Sequence, residues 1–198
     1  MRHTKLSTVI TIATLITFSA CEKKASNNTD TLKPITTMVA ATSYTDWVYY
    51  SLSENRVIEI SDPATSTNWD IALMRSHFRT NSGTSGNGNG GAFDAGVVNF
   101  DTYIQAPETG YVVDSTIQSF NFLTMDSTEV AANTVLENWG SLSEEMPPVF
   151  TPNNKVFAIK TATGNYAKII ILSYYRTSES GNVTFKYLYQ PNGSRVLE

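Results

Sequence analysis

The sequence predicts one mainly β domain with few short helical segments, preceded by an export leader and a polar tether. Three features predict it. Short runs are rich in aromatic and β-branched residues, Gly, Pro, Asp and Asn separate them, and one complete hairpin can be read directly from the chain.

The leader comes first. Arg2 and Lys5 precede the apolar stretch LSTVITIATLITFSA, which ends in the small residues Ser19 and Ala20 just before Cys21. That is the layout of a secretory signal peptide over residues 1–20, with an apolar core too short for a membrane span. Cys21 is the only cysteine of the 198 residues, so it forms no internal disulfide. FSAC is similar to a lipobox, where the thiol is acylated and the preceding peptide removed, although Phe18 stands where Leu is more usual. The expectation is an exported bacterial lipoprotein anchored through Cys21. Residues 21–42, containing EKKASNNTDTLKP, are polar and read as a flexible tether to a β domain over 43–198.

Charge excludes one class of partner. Losing Arg2 and Lys5 from the 14 basic residues leaves 12 against 18 acidic ones, a net charge of about −6. An acidic chain with no basic stripe repels phosphates, so no nucleic-acid partner is expected. His3 leaves with the leader, which makes His77 the sole histidine of the mature chain and rules out any site needing two.

The strands follow in order. WVYYSLS (47–53), RVIEIS (56–61), NWDIALMRSHFRT (68–80), GVVNFD (96–101), YVVDS (111–115) and SFNFLTM (119–125) each read as strand. KVFAIKTATGNYAKIIILSYY holds two apolar runs around Thr163-Gly164-Asn165, a hairpin turn. IIIL at 169–172 is apolar on both faces, predicting a strand covered on both sides. Ser180-Gly181-Asn182 reads as the next turn, leading into the alternating VTFKYLYQ. DSTEVAANTVLENWGSL is the exception: Asp126 with Glu129 three residues on resembles a helix-start cap, predicting one short helix or an irregular excursion.

Gly86, Gly88 and Gly91 satisfy G-x-G-x-x-G, but a dinucleotide site needs a helix opening at that loop. AFDAGVVNFDTYI follows with strand character, so the loop reads as a surface turn whose glycines allow positive φ. Asp70, Arg75 and Arg79 read as a buried ion-pair set, Glu144 and Glu145 as a solvated acidic patch, and no G-x-S-x-G elbow is present. No enzyme is visible.

NWDIALMRSHFRTNSGTSGNGNGGA closely resembles the signature of the HmuY family of secreted haem-binding lipoproteins. DWVYYSLSENRVIEISD, PETGYVVD and the strands from Lys155 to Gln190 resemble other parts of that family, so the likeness runs roughly over residues 43–190. It implies an all-β fold gripping haem b between loops at one end and passing it to a TonB-dependent outer-membrane haem receptor. It also implies a lipoprotein anchored to the outer membrane and exposed at the cell surface. In the family two axial ligands come from a variable region, matched here by residues 122–154, and the best-known members use histidines. This region has none. It has Met125 and Met146, and a thioether is an established axial ligand to haem iron. The resemblance therefore implies Met125 and Met146 as axial ligands, with Phe122, Trp139 and Phe150 as apolar walls. His77 with one methionine is the competing arrangement, but it stands in the signature strand, away from the ligand region. Met74 reads as core, and Met38 as too near the tether. The alternative function is a haem-independent binding or adhesion lipoprotein of the same fold.

Overall fold

The chain, seen as a computed structural model, is described over residues 32–121 and 124–198. Strands β1 (Ile35–Ala40), β6 (Gly91–Asp94), β11 (Val156–Lys160), β12 (Tyr166–Arg176) and β13 (Glu179–Gln190) form an antiparallel sheet in the order β1-β13-β12-β11-β6. Strands β2 (Val48–Ser51), β3 (Arg56–Ile58), β4 (Ile71–Met74) and β5 (His77–Thr80) form a second sheet in the order β3-β2-β4-β5. Two ribbons complete the set: β7 (Ser115–Asn121) with β8 (Asp126–Ala132), and β9 (Gly140–Leu142) with β10 (Phe150–Pro152). The mainly β class expected from the sequence is what the chain adopts.

The main core lies between the two sheets. Tyr50, Leu52, Ile71, Leu73 and Phe78 of one sheet and its loops meet Phe157, Ile159, Ile169, Phe185 and Tyr187 of the other. Tyr50 packs edge-on against Phe185 at 5.5 Å and Tyr187 at 6.2 Å between ring centroids. Such pairs add about 0.5–1.5 kcal/mol each beyond the area they bury. A smaller cluster on the outer face of the first sheet joins Val156, Ala158 and Leu188 to Phe100 and Ala106 of the 95–114 loop. This explains the apolar run at 169–172. Ile169 and Ile171 enter the main core and Ile170 packs on the outer cluster, but Leu172 stands exposed.

Several local expectations are corrected. NWDIALMRSHFRT is a hairpin rather than one strand, because Arg75 at φ 55 reverses the chain between β4 and β5. The β12–β13 reversal lies at Thr177, φ 58, so Ser180-Gly181-Asn182 is inside β13 and not a turn. GVVNFD forms no strand, and YVVDS gives only the Ala92–Val112 bridge and the first residue of β7, Ser115; the rest belongs to the loop over the outer cluster. Of SFNFLTM, residues 119–121 lie in β7, and Phe122 and Leu123 lie outside the described residues. Residues 35–40 of the expected tether form β1, paired to β13 with Val39 buried. Residues 1–31, with the leader and Cys21, lie outside the described residues.

The expected helix is replaced by strand β8 and a 3₁₀ turn at Leu136–Trp139. The supposed cap residues are used differently. Asp126 accepts the N–H of Ser127 at 2.8 Å, while Glu129 sits opposite Gln118 and accepts its amide at 3.3 Å. Cross-strand pairing to β7 outcompetes a marginal helix-start pattern.

The glycine loop is structural, though chiefly for a different reason than positive φ. It wraps around buried Asn81, whose Nδ2 donates to the carbonyls of Ser66 (2.8 Å) and Trp69 (3.0 Å). A Cβ at Gly86 would lie 2.3 Å from Asn81 Oδ1, and one at Gly88 2.6 Å from the Asn81 carbonyl oxygen. The backbone must come that close for Gly88 N–H to reach Asn81 Oδ1 at 3.0 Å. Asp70 makes no ion pair either: its buried carboxylate accepts the N–H of Leu52 (2.8 Å) and Ala162 (3.2 Å), and burial raises its pKa.

Candidate ligand site between two ribbons

The β7–β8 ribbon is clamped at its base. Asp114, just before β7, and Asn133, just after β8, converge on Thr80 at the end of β5. Asp114 accepts Thr80 N–H at 2.9 Å and Thr80 Oγ1–H at 2.6 Å, and Asn133 Nδ2 donates to Asp114 at 2.9 Å. Asp114 is 2% exposed, and burial pushes its carboxyl up against the lowering pull of those hydrogen bonds.

A second tie is made higher on the ribbon. His77 Nδ1 lies 2.7 Å from Glu137 Oε2, and its Nε2 lies 2.8 Å from Ser119 Oγ on β7. Glu137 Oε1 also accepts the Phe78 N–H at 3.1 Å. Sequence reading placed His77 away from the ligand region as a solvated or hydrogen-bonded histidine; here it is hydrogen-bonded and joins β5, β7 and the 3₁₀ turn. The order Ser–His–Glu has the connectivity of a hydrolase triad. However, Ser119 is within an extended strand rather than on the sharp turn that exposes a hydrolase nucleophile. With one nitrogen on Glu137 and the other on Ser119, both ring nitrogens are occupied, and neither is free to bind iron.

The second ribbon is fixed by aromatic packing. Trp139 is buried, donates Nε1–H to the Ser76 carbonyl at 2.7 Å and stacks on Phe150 with centroids 4.6 Å apart. Phe150 reaches Tyr174 at 5.1 Å, and its N–H donates to the phenolic Oη of Tyr175 at 2.9 Å.

Between the ribbons lies a pocket of about 220 Å³. Ser119, Phe120 and Asn121 line it from β7, Leu142, Pro148 and Phe150 from the second ribbon, and Arg75, His77, Tyr174 and Tyr175 from the two sheets. Of the apolar residues that line it, Phe120 and Leu142 are exposed.

Met125 and Met146 occupy the two loops that flank this pocket. Met125 closes the β7–β8 connection at φ 55 and is 72% exposed; Met146, in the β9–β10 loop, is 89% exposed. Neither side chain lines the pocket, and neither fills core, whereas Met74 is buried at 3% as expected. Phe150 lines the pocket; Trp139, expected as a wall, is one layer behind it. Phe122 lies outside the described residues. Glu144 and Glu145 are exposed, and no group of three or more His, Cys, Asp or Glu side chains that could hold a bare metal ion occurs among the described residues. Sequence reading missed Arg75 and Ser119 as pocket residues and Glu137 as the partner of His77, since long-range folding alone brings them together.

The architecture is an all-β sandwich with a pocket between two ribbons. The model of the HmuY protein family matches residues 43–187, and the chain belongs to that family. No curated protein matches the chain. Among solved structures it is similar to the apo HmuY analogue of Tannerella forsythia, with TM-score 0.63, 23% identity, and coverage of 82% of this chain and 100% of that one. It is also similar to a protein from Bacteroides vulgatus described as HmuY-like and haem-binding, with TM-score 0.62, 24% identity and coverage of 79% and 91%. A third, from Bacteroides fragilis and described as a lipoprotein, gives TM-score 0.62, 23% identity and coverage of 82% and 95%. At these identities the likeness is one of fold.

Proposed function

We propose that the protein is a surface lipoprotein that binds haem b in the pocket between the β7–β8 and β9–β10 ribbons and hands it to a TonB-dependent outer-membrane receptor. Met125 and Met146 are the axial ligands on this reading, and Cys21 carries the lipid anchor. The observation that carries it is the placement of two exposed methionines on the two loops flanking one pocket. Exposed methionines have no packing role to explain them, since methionine ordinarily fills core. Family membership and the haem-binding description of one neighbour support the same ligand.

The donor set fits the group. Thioethers are soft and uncharged, and the apolar lining and the Phe150 and Tyr174 rings suit a porphyrin face. When bound, haem would supply an iron centre that soft donors can ligate. The chain's part would be to offer the two sulfurs from the two loops and to fix the β7–β8 ribbon through the Asp114 and His77 ties. Two thioethers favour ferrous over ferric iron and carry no proton to lose near neutral pH, so binding should tighten on reduction and vary little with pH. The test is a haem titration of the purified protein beside Met125→Ala, Met146→Ala and the double variant. Each single variant should lose the six-coordinate absorbance spectrum, and the double variant should lose most of the affinity. Unchanged spectra in all three would remove methionine ligation from the proposal.

A further inference from the structure

Arg75 brings a full positive charge to the wall of the same pocket, and its partners are neutral. Nη1 donates to the carbonyls of Thr42 (3.2 Å) and Ser180 (3.1 Å), and Nη2 donates to Ser180 Oγ (2.7 Å). Its guanidinium carbon stands 4.4 Å from the centroid of the Tyr44 ring and 5.6 Å from that of Tyr174. Nε is buried with no hydrogen-bond partner. Among the described residues no carboxylate pairs with Arg75, whereas His77 in the same pocket has Glu137. The fold is also thinned to seat this group: a Cβ on Gly181 would come within 2.8 Å of Nη1.

A partly desolvated guanidinium without a counter-ion is costly to keep, and the cost is recovered when an anion arrives. Two rings and two backbone carbonyls hold the fork in place, so little side-chain freedom is lost on binding. One Nη2 hydrogen has no protein acceptor among the described residues, and a charge-assisted bond from it to a carboxylate is stronger than one to a neutral group. We infer that Arg75 is a specificity-determining residue that receives a free carboxylate of the pocket's ligand. The inference rests on the haem reading of the site, where that group is a propionate. The pocket then recognises haem at two places: the iron through the ribbons, and the acidic edge through the sheets.

The experiment compares haem with its dimethyl ester, both in the same detergent, on wild type, Arg75→Gln and Arg75→Lys. Wild type should bind the free acid about ten- to hundredfold more tightly than the ester. Arg75→Gln should bring haem down to the ester's affinity and leave the ester's own binding unchanged, with Arg75→Lys between. Equal affinity of wild type for acid and ester would overturn carboxylate recognition while leaving haem binding intact. An equal loss for both ligands in Arg75→Gln would also overturn it, showing Arg75 to be a prop for the loops. If wild type bound neither form, the haem reading and this inference would fall together.

Discussion

Replacing Asp114 by alanine should loosen the ligand site by releasing the base of the β7–β8 ribbon. The magnitude follows from which donors lose their only acceptor. Thr80 Oγ1 keeps a partner in Ser82 Oγ at 2.8 Å, and Asn133 Nδ2 keeps the Val112 carbonyl at 2.8 Å. Thr80 N–H loses both carboxylate oxygens and is left buried, since Thr80 is 0% exposed. One orphaned buried donor and two weakened ones cost about 3 kcal/mol, after discounting the relief of removing a buried charge. In a chain of this size that is a fall in melting temperature of about 6–12 °C. Urea unfolding would show a lower midpoint at unchanged slope, with haem affinity reduced in parallel. The pH dependence has a definite sign. Burial raises the folded-state pKa of Asp114 above 3.8, so its contribution is fully present below the unfolded value and is lost as pH rises through the folded value. The advantage of wild type over Asp114→Asn should therefore grow as pH falls from neutral toward 4. A loss under about 1 kcal/mol in Asp114→Ala, or an advantage growing with rising pH, would refute the account of this clamp.

Three further outcomes are expected. Gly86→Ala sets a methyl 2.3 Å from Asn81 Oδ1 and should destabilise the protein by about 1–3 kcal/mol, read by thermal melting. Trp139→Ala removes a fully buried ring and the support behind Phe150, and should cost about 3–5 kcal/mol in denaturant unfolding and weaken haem binding. The Met125→Ala, Met146→Ala double variant, changed only at exposed positions, should melt within about 0.5 kcal/mol of wild type, so any loss of haem affinity reflects ligation.

What the sequence revealed was local. The β11–β12 hairpin was legible because Gly164 meets the positive φ its turn needs, here 87°, between two uninterrupted apolar runs. The glycine loop was correctly read as structural, but its true reason, contact with Asn81, depends on a side chain that only the fold brings under the loop. The helix expected after Asp126 failed because a capping pattern counts neighbours three residues apart, while Glu129 found its partner across the ribbon in Gln118. Arg75 and His77 were visible as residues and not as site members. Arg75 meets Ser180 across 105 positions, and His77 meets Glu137 across 60. The two methionines were singled out only through the family resemblance together with the absence of histidine, and the fold shows both side chains exposed.

The most direct test is a titration of the purified protein with haem, followed by absorbance before and after dithionite. Methionine ligation predicts stoichiometric binding, a six-coordinate spectrum, and affinity that is higher for the reduced form. Stoichiometric binding with equal affinity in the two redox states, or no binding in either, would contradict it.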